Sequence, residues 1–348
     1  MVLGEAGAGP WLSILIPAYN AAPYIEECLH SVACQDLDGV EILVTNDCST
    51  DRTADIIERF AAGRPDVAFT LLHNEVNRGL SATRNGMLDR CAGRYVWFVD
   101  ADDRMRPDAV AQLKAIVSRH DPDLVICDFA DHHRNEDDSF DDPVHTTVFD
   151  GPERRLLDDR DVLLGGLFDC RRMHSWSKIA KRSVYGGTLR FPDGRYFEDI
   201  LVTPMLALRV ESYYYEPTPW IDYRKAVGSI IATISPRKNL DLIRSMTEMA
   251  VELRRPEHGL SHTSLLRLDR FCARQVVSCF KNQLAGQGGA DRISALEDCL
   301  GFTEAVLKGY GWAGHGKPVW EDVWLWFRLN KWKFRARAAI KRAASGRT

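Results

Sequence analysis

The sequence predicts an α/β fold in which a mainly parallel sheet is flanked by helices and is followed by a helical C-terminal region. In the first half of the chain, short apolar runs alternate with segments of helical spacing, which is the pattern of successive βα units. After Ser235 the strand signals stop, and long segments of helical spacing fill the last third. The predicted elements therefore divide the chain into a sheet-forming part and a helical part.

The elements can be assigned in order from the N-terminus. The predicted strands are residues 11–17, 40–45, 69–73, 95–99 and 124–129. The helices between them are predicted at residues 24–34, 50–60, 80–91 and 107–120. The acidic segment 131–150 is expected to form a loop or hairpin, and residues 175–224 have mixed α/β character. The C-terminal helices are predicted at residues 239–254, 264–284, 292–310 and 319–344.

Composition and cysteine usage are those of a reduced, globular protein. Of 348 residues, 45% are hydrophobic and 27% are charged. Nine cysteines without a CxxC pair favour thiols over a disulfide framework or a zinc site. The first eleven residues lack a signal-peptide pattern, and no run approaches the roughly 20 apolar residues of a membrane span. These features predict a cytoplasmic protein, either free or attached to the inner face of the membrane as a peripheral protein.

Acidic residues follow two of the predicted strands. Asp47 comes after the second strand, and Asp100, Asp102 and Asp103 come after the fourth. Ligands of open α/β sheets bind beyond the carboxyl ends of strands, and gathered carboxylates favour a divalent cation with a diphosphate. The alternative is that Asp102 and Asp103 cap the helix that starts near Pro107.

Seven short motifs, in this order, resemble family 2 glycosyltransferases, which have the Rossmann-like GT-A fold. The motifs Ser-Ile-Leu-Ile-Pro-Ala-Tyr-Asn, Asn-Arg-Gly-Leu-Ser-Ala-Thr-Arg-Asn and Tyr-Val-Trp-Phe-Val-Asp-Ala-Asp-Asp are among them. The seven occupy residues 13–20, 41–51, 77–85, 95–103, 176–179, 195–200 and 223–230. The resemblance implies inverting transfer of a sugar from a nucleotide-diphosphate sugar with Mn²⁺ or Mg²⁺, in synthesis of a bacterial polysaccharide or cell-envelope glycan.

The resemblance also implies a donor site. Pro17 and Tyr19 match the loop that packs on the nucleobase, and Asp47 matches the carboxylate that accepts the base N–H. Asp100 matches the residue near the ribose, and Asp102, with Asp100, matches the metal site. Arg84 either approaches the ribose or phosphates or forms a structural ion pair. The complete implied donor set is Pro17, Tyr19, Asn20, Asp47, Arg84, Asp100, Ala101 and Asp102.

The catalytic and acceptor residues are implied in the same way. Asp199 matches the general base that takes the proton of the acceptor hydroxyl, and Glu198 would orient the base or the acceptor. Both residues also suit the start of a helix, where acidic groups interact favourably with the helix dipole. Trp176 and Lys178 are expected to line the acceptor side, although a buried core Trp is an equal alternative.

One loop departs from the family pattern. The family commonly has two Asp residues before a Gly, where this chain has Asn46, Asp47 and Cys48. A Cys restricts a backbone that prefers positive φ, so the loop shape and the preferred base are open. Uracil is the default, and guanine or another base remains an alternative.

The resemblance and the element pattern together predict a domain organisation. Residues 1–10 form a flexible N-terminus, and residues 11–232 form the GT-A domain, with a nucleotide-sugar half at 11–130 and an acceptor half at 151–232. Residues 236–348 form the helical subdomain. The oligomeric state is not predicted.

The last helix has an unusual composition. Residues 328–348 contain eight Lys or Arg and no acidic residue, which leaves the rest of the chain with a net charge of −12. Aromatic residues alternate with these cations within residues 320–344. Such a helix favours peripheral contact with an anionic membrane, or else the aromatics pack on the subdomain while the cations stay solvated. The acidic body argues against nucleic acid.

Two rival functions remain at this stage. A sugar-phosphate nucleotidyltransferase also combines an α/β sheet with carboxylates and a metal, but it usually has a Gly-rich basic loop after the first strand. This chain has Pro-Ala-Tyr-Asn-Ala-Ala-Pro there. The other rival is a catalytically silent nucleotide-sugar-binding protein, which Asp102 and Asp199 argue against. The acceptor, whether a glycan, a lipid-linked glycan or a small molecule, is not predicted.

Overall fold

The structure is a computed structural model that describes residues 9–132, 142–224, 235–285, 290–308 and 320–345. The chain forms two compact units. The first, here called the sheet unit, comprises Met1–Asp159, His174–Gly194 and Arg209–Val227. The second, here called the helical unit, comprises Arg160–Met173, Arg195–Leu208 and Gly228–Thr348. The division into successive domains at residues 232–236 stays a prediction.

The sheet unit contains ten strands in its described residues. They are β1 (Leu12–Ala18), β2 (Val40–Asn46), β3 (Phe69–His73), β4 (Tyr95–Phe98), β5 (Arg104–Met105), β6 (Leu124–His132), β7 (Val144–Thr146), β8 (Leu156–Leu157), β9 (Lys178–Lys181) and β10 (Tyr213–Arg224). The main order across the sheet is β3-β2-β1-β4-β9-β6-β10-β5. All five strands predicted from the apolar runs are present, at β1, β2, β3, β4 and β6.

The predicted α/β class is confirmed, and the sheet is mixed. Strands β3, β2, β1 and β4 are parallel neighbours, as expected for strands joined by helices. Strand β9 lies between β4 and β6 and is antiparallel to both. Strand β10 is parallel to β6 and antiparallel to β5. The antiparallel insertions come from chain segments 104–105 and 178–181, which are too short to give a clear period-2 signal.

Helices of the sheet unit connect its strands. They are α1 (Ile25–Ala33), α2 (Thr53–Gly63), α3 (Leu80–Leu88), α4 (Ala109–His120) and α6 (Arg182–Tyr185). The face of α1 predicted to be apolar is the buried one, since Ile25, Cys28, Leu29 and Val32 are all inaccessible to solvent. Spacings of three and four residues place these side chains on one side of the helix, against the sheet.

The helical unit is built from helices in its described residues. They are α5 (Arg160–Cys170), α7 (Asp199–Ala207), α8 (Pro236–Leu253), α9 (His262–Ala285), α10 (Ala290–Ala305) and α11 (Trp320–Ala344). Phe168 of α5 packs on Phe271 of α9 with ring centroids 5.5 Å apart. Helix α8 begins at a Ser235 cap that accepts the backbone N–H of Lys238 at 3.2 Å. The predicted helical C-terminal region is confirmed.

Candidate functional site

Three parallel strands end at the same edge of the sheet unit, and the loops that follow them carry the polar residues of interest. Strand β1 ends at Ala18, β2 ends at Asn46, and β4 ends at Phe98. The carboxyl ends of parallel strands form the usual ligand crevice of an open α/β sheet. The geometry of these loops therefore decides what the site can bind.

The loop after β1 is held in shape by the loop after β2. Asn20 has a positive φ of 48°, and its Oδ1 accepts the backbone N–H of Thr50 at 2.8 Å. The Asn20 N–H donates in turn to Ser49 Oγ at 3.0 Å. Tyr19 is left half exposed, while Pro17 is buried within β1. The structure thus leaves the Tyr19 ring available for stacking at the rim of the crevice.

The Asp47 carboxylate is buried and anchors a third loop. Its Oδ1 accepts from Asn74 Nδ2 at 2.7 Å and from the Arg78 backbone N–H at 2.9 Å. Its Oδ2 accepts the Gly79 N–H at 2.8 Å. A carboxylate has about four acceptor sites, so three are used inside the protein. Gly79 has φ +80°, which suits glycine at this start of α3.

Cys48 adopts the backbone conformation that the glycine of the family pattern favours. Its φ is +56°, in the left-handed region that costs a non-glycine residue roughly 1–2 kcal/mol. Its Sγ lies 3.6 Å from the carbonyl oxygen of Glu75. The loop therefore keeps a glycine-like path despite the substitution, with strain concentrated at this residue.

Arg84 forms the ion pair that was one of its two expected roles. Its Nη2 lies 3.0 Å from Asp100 Oδ1, and its side chain is only 1% exposed. The guanidinium is sandwiched between the rings of Phe98 and Phe191, at 5.5 and 5.3 Å from their centroids. Arg84 thereby fixes the orientation of Asp100 from within the protein.

Asp100, Asp102 and Asp103 form an acidic cluster in which one carboxylate oxygen of each lies within 4.8 Å of the others. The Asp103 side chain is fully buried, and its Oδ1 accepts the Arg224 N–H at 2.9 Å. Its Oδ2 is buried and has no hydrogen-bond partner among the described residues. Ala101, between the first two acids, is also buried.

The electrostatics of the acidic cluster show an excess of negative charge. Burial and the neighbouring Asp100 raise the pKa of Asp102 to about 6. Burial, followed by the charges of Asp102 and Asp100, raises the pKa of Asp103 well above its usual value. A buried carboxylate oxygen without a donor is costly, and a divalent cation with oxygen ligands would remove that cost. The donor set therefore fits Mn²⁺ or Mg²⁺.

The alternative role for these acids, as caps of the following helix, is wrong. Helix α4 begins at Ala109, and its cap position is Asp108, which has a φ of +63°. Asp102 and Asp103 instead lead into strand β5, and Asp103 Oδ1 accepts from the backbone of β10. Five residues, 104–108, form β5 and a turn between Asp103 and the first residue of α4. Asp102 and Asp103 therefore lie too far from the helix to cap it.

Arg224 is a neighbour of the acidic cluster that the sequence reasoning missed. Its Nε donates to the Asp102 carbonyl oxygen at 2.5 Å, and its Nη1 donates to Glu27 Oε2 at 2.7 Å. Its guanidinium lies 5.2 Å from the Tyr24 ring centroid. The Tyr-Arg pair at 223–224 begins one of the recognised motifs, and that was the available signal. Because Glu27 also pairs with Arg224, this arginine offsets only part of the cluster's charge.

Trp176 and Lys178 lie in the interior of the sheet unit. The Trp176 ring stacks on His174 at 4.7 Å and on Tyr223 at 5.7 Å, and its carbonyl oxygen accepts from Trp97 Nε1 at 2.9 Å. Lys178 Nζ is buried 2.9 Å from Ser177 Oγ. The buried-core alternative for Trp176 is therefore the one observed. Neither side chain presents an open surface to an acceptor in this structure.

Glu198 and Asp199 lie in the helical unit at the beginning of α7. Helix α7 starts at Asp199, and Glu198 occupies the preceding cap position with its side chain buried. Phe197, just before them, has φ +59°. The expected helix start is confirmed, and acidic groups at this end interact favourably with the helix dipole. Their catalytic role stays a prediction.

The sheet unit is thus a GT-A-like α/β domain with an acidic, cation-fitting cluster at the carboxyl ends of its strands. Residues 13–173 match the sequence profile described as Glycosyl transferase family 2. The chain is 31% identical over 227 residues to EpsH of Bacillus subtilis strain 168, a protein named as a candidate glycosyltransferase. That match covers 64% of this chain and 63% of EpsH, so the chain spans less than two thirds of this relative.

Two solved structures share the fold. One is S. aureus TarS residues 1–349 in complex with UDP-GlcNAc, with a TM-score of 0.65, 22% identity, and coverage of 96% of this chain and 92% of TarS. The other is the mannosyltransferase PcManGT from Pyrobaculum calidifontis with GDP-Man and Mn²⁺, with a TM-score of 0.51, 17% identity, and coverage of 98% and 88%. Residues 13–173 therefore form a glycosyl transferase family 2 domain.

Proposed function

We propose that the protein is an inverting glycosyltransferase that moves a sugar from a nucleotide-diphosphate sugar to an acceptor hydroxyl with the help of a divalent cation. The observation that carries the proposal is the acidic cluster, in which the buried Asp103 Oδ2 has no donor among the described residues. Gathered, buried carboxylates destabilise the folded protein unless a cation binds them, so this cluster supports a cation site at the crevice of the sheet.

The donor would lie across the ends of β1, β2 and β4. Tyr19, half exposed at the rim, would stack on the base, with Pro17 and Asn20 shaping its loop. The remaining acceptor site of Asp47 suits a base N–H, which supports a uracil base. The left-handed Cys48 preserves the glycine-like path of this loop, so nothing in the backbone disfavours that choice. Asp100, oriented by Arg84, would face the ribose.

The cation would be held by Asp102 and Asp100, with Asp103 contributing its unpaired oxygen. When bound, Mn²⁺ or Mg²⁺ supplies positive charge to the oxygens of the departing diphosphate. Arg224 holds the backbone carbonyl of Asp102 and the side chain of Asp103 in place, which keeps the carboxylates together before a ligand arrives. We assign the metal to the class of oxygen-preferring divalent cations and not to a particular ion.

Asp199 is proposed as the general base. A base must lie within hydrogen-bond reach of the acceptor hydroxyl and on the side opposite the leaving nucleotide. Asp199 would remove the proton of the acceptor hydroxyl while the hydroxyl oxygen attacks the anomeric carbon of the donor sugar. The bond to the diphosphate would break in the same displacement, which inverts the configuration. Glu198, buried beside it at the start of α7, would orient Asp199 or the acceptor.

The acceptor side is proposed in coarser terms. Trp176 and Lys178 are buried, so we propose that they do not touch the acceptor and instead position residues that line its site. Trp176 would act through Tyr223, on which it stacks, and Lys178 through Ser177, to which it donates a hydrogen bond. The acceptor would be a glycan, a lipid-linked glycan or a small molecule. A cytoplasmic enzyme, with or without a peripheral position at the inner face of the membrane, would have access to nucleotide sugars. None of the helices in the described part of the chain is long and apolar enough to cross a membrane.

Turnover of a donor panel tests this function. UDP-, GDP-, CDP- and dTDP-sugars would be incubated with Mn²⁺ and a mixture of acceptors while nucleoside diphosphate release is measured. We expect release from a UDP-sugar, an anomeric NMR signal of inverted configuration in the product, and strong loss of release in Asp199→Asn. A protein that binds a nucleotide sugar but releases nothing would be the silent binding protein. A nucleotidyltransferase would instead need added inorganic pyrophosphate, which it would consume while releasing a nucleoside triphosphate and a sugar 1-phosphate from the same donors.

A further inference from the structure

Helix α11, which the proposed reaction does not use, presents two different faces. Leu325, Leu329 and Ala336 are buried within the helical unit. Three large aromatic side chains on the same helix are exposed, with Trp324 at 62%, Phe327 at 58% and Phe334 at 75%. The expectation that all aromatics of this helix pack on the subdomain is therefore wrong for these three. Exposed rings of this size are unusual on a soluble surface and mark interaction sites when they are grouped.

The exposed rings lie on one stripe together with cations. From Trp324, steps of three or four residues lead through Phe327, Lys331 and Phe334 and on toward the C-terminus. At 3.6 residues per turn, these positions share one side of the helix. Basic residues alternate with the rings on that side. We call this the aromatic–cation face, and it consists of Trp324, Phe327, Arg328, Lys331, Phe334, Arg335 and Arg342.

Contacts within the helical unit fix which side of α11 is exposed. Arg270 of α9 pairs with Asp322 through two hydrogen bonds of 2.8 Å each. Arg337 pairs with Glu304 of α10 at 2.8 Å. These two ion pairs lie on the side of α11 that faces α9 and α10. They therefore hold the exposed rings on the outer side of the unit.

Two further features give the face a preference for anions. The Arg328 guanidinium lies 4.5 Å from the Trp324 ring centroid, which holds the charge beside the ring. A groove of about 780 Å³ beside the first half of α11 is lined by three arginines together with apolar side chains. The arginines are Arg171, Arg274 and Arg328. Guanidinium groups gathered at one groove suit a phosphate group, which they bind by paired hydrogen bonds.

We propose that the aromatic–cation face of α11 docks on an anionic phospholipid bilayer, with lipid phosphate groups received at the arginine-lined groove. From Trp324 to Arg342 the face runs for about 27 Å along one helix, which gives it an extended contact surface. Its rings enter the boundary between headgroups and acyl chains, and its cations contact anionic lipids. A soluble polyanion would use the cations but would leave the three rings in water, and for this reason the bilayer is the occupant that the observations favour.

Vesicle flotation with the full-length protein tests the proposal. Vesicles of phosphatidylcholine alone would be compared with vesicles that contain about one third phosphatidylglycerol, at low salt and at about 0.5 M NaCl. We expect flotation only with the anionic vesicles, weakened at high salt because the Debye length shortens. No flotation with either vesicle type at low salt would overturn the proposal.

Two variants separate the contributions of rings and charges. Trp324→Ser/Phe327→Ser/Phe334→Ser should lower partitioning by about tenfold or more, because apolar burial at the interface is lost. Lys331→Glu/Arg335→Glu/Arg342→Glu should lower it by about a hundredfold or more, since each cation near an anionic surface contributes about fivefold. The matched charge control is Arg237→Glu/Lys281→Glu/Lys308→Glu, which changes three exposed cations elsewhere in the helical unit. The control should lose much less binding.

The outcomes discriminate between occupants and are independent of the donor chemistry. If the Ser variant floats like the wild type while soluble polyphosphate displaces the protein fully, the face binds polyanions and the bilayer proposal fails. All six substituted positions are exposed, so we expect both variants to stay folded. The melting temperature of each variant would check this. Nucleoside diphosphate release with a soluble acceptor should stay unchanged in both variants, so failure of this proposal leaves the proposed transferase function untouched.

Discussion

Two acidic loops follow β2 and β4, the parallel strands on either side of β1, and they use their carboxylates in opposite ways. Asp47, after β2, has three internal donors, from Asn74, Arg78 and Gly79. Asp103, after β4, is equally buried but keeps one oxygen without a partner among the described residues. The first carboxylate is satisfied by the protein and builds the loop around it. The second lies in a cluster whose negative charge requires a bound cation for compensation.

The difference teaches that position at a strand end does not by itself define a role. Both loops lie at the crevice where ligands of α/β sheets bind. Only the hydrogen-bond partners distinguish a carboxylate that holds the backbone from one that awaits a cation. If this contrast is correct, changes at Asp47 should lower folding stability as well as donor binding, whereas changes in the acidic cluster should act mainly on metal-dependent activity.

The largest effect is expected for Asp102→Asn. Loss of the negative charge should weaken cation binding and lower kcat/KM by about 10³-fold or more, with little loss of folding stability. Steady-state assays across a Mn²⁺ titration would measure it. Asp55→Asn, at an exposed acid on α2, is the matched control and should behave as the wild type. Equal activity of Asp102→Asn and Asp55→Asn would break the comparison.

The next effect is expected for Asp47→Ala. The variant leaves the Asn74 amide and the Arg78 and Gly79 backbone N–H groups without their acceptor. The free energy of unfolding should fall by about 2–3 kcal/mol, because buried donors lose their acceptor. The loss is limited to this size because some of these donors can reach water. Urea denaturation would measure the loss, and Asp47→Asn, which keeps one acceptor oxygen, should lose less. A variant as stable as the wild type would show that Asp47 does not anchor the loop.

In the acidic cluster, Asp102→Asn should change the free energy of unfolding by less than Asp47→Ala does, and in the opposite direction. The pKa of Asp102 is raised from 3.8 to about 6 in the folded state, so its protonated carboxyl group contributes stability that is fully present below the unfolded pKa. That contribution is lost as the pH rises through about 6. In EDTA, the stability of Asp102→Asn relative to the wild type should therefore grow by about 1 kcal/mol between about pH 5 and about pH 7.5.

Denaturation at both pH values would measure this difference, and added Mn²⁺ should remove it by stabilising only the wild type. A relative stability that stays constant with pH would mean that the Asp102 carboxylate is already compensated within the protein. The contrast between the two loops would then disappear.

The smallest effect concerns Cys48, the strained residue in the loop after β2. Cys48→Gly should raise the free energy of unfolding by about 0.5–1 kcal/mol, because glycine adopts φ +56° without strain but loses more entropy on folding. Cys34→Gly is the control, since Cys34 has φ −90° and glycine there should destabilise. Thermal denaturation of both variants would measure the effects. Destabilisation by Cys48→Gly would show that the Sγ contact with Glu75 outweighs the strain.

The sequence predicted much of the fold because periodicity and loop chemistry are local properties. Strand β3 lies at residues 69–73 as predicted, and helix α11 ends at Ala344 as predicted. Strands β5 and β9 were not assigned, since two to four residues carry no clear period and their pairing is non-local. Similarly, a preference for positive φ at position 48 could be inferred, because the substitution stands where the family pattern has glycine.

Site chemistry was less predictable than site location. The motifs brought attention to Asp47, Arg84 and the acidic cluster, but not to their partners. The partners of Asp47 lie 27 to 32 residues away, and Arg224 reaches the cluster from more than a hundred residues away. The burial of Trp176 also depends on packing against Phe129, His174 and Tyr223. Such contacts depend on the complete topology of the sheet and leave no signal in a single segment.

The most direct test of the central claim is a thermal-shift measurement with UDP in the presence of Mn²⁺ or of EDTA, on the wild type and on Asp102→Asn. A ligand that binds the folded protein at 100 times its Kd adds about 2.7 kcal/mol of stability. We predict a clear rise in melting temperature for the wild type with UDP and Mn²⁺ that is absent in EDTA and absent in Asp102→Asn. An equal rise in EDTA, or in the variant, would contradict the assignment of a divalent cation to the acidic cluster.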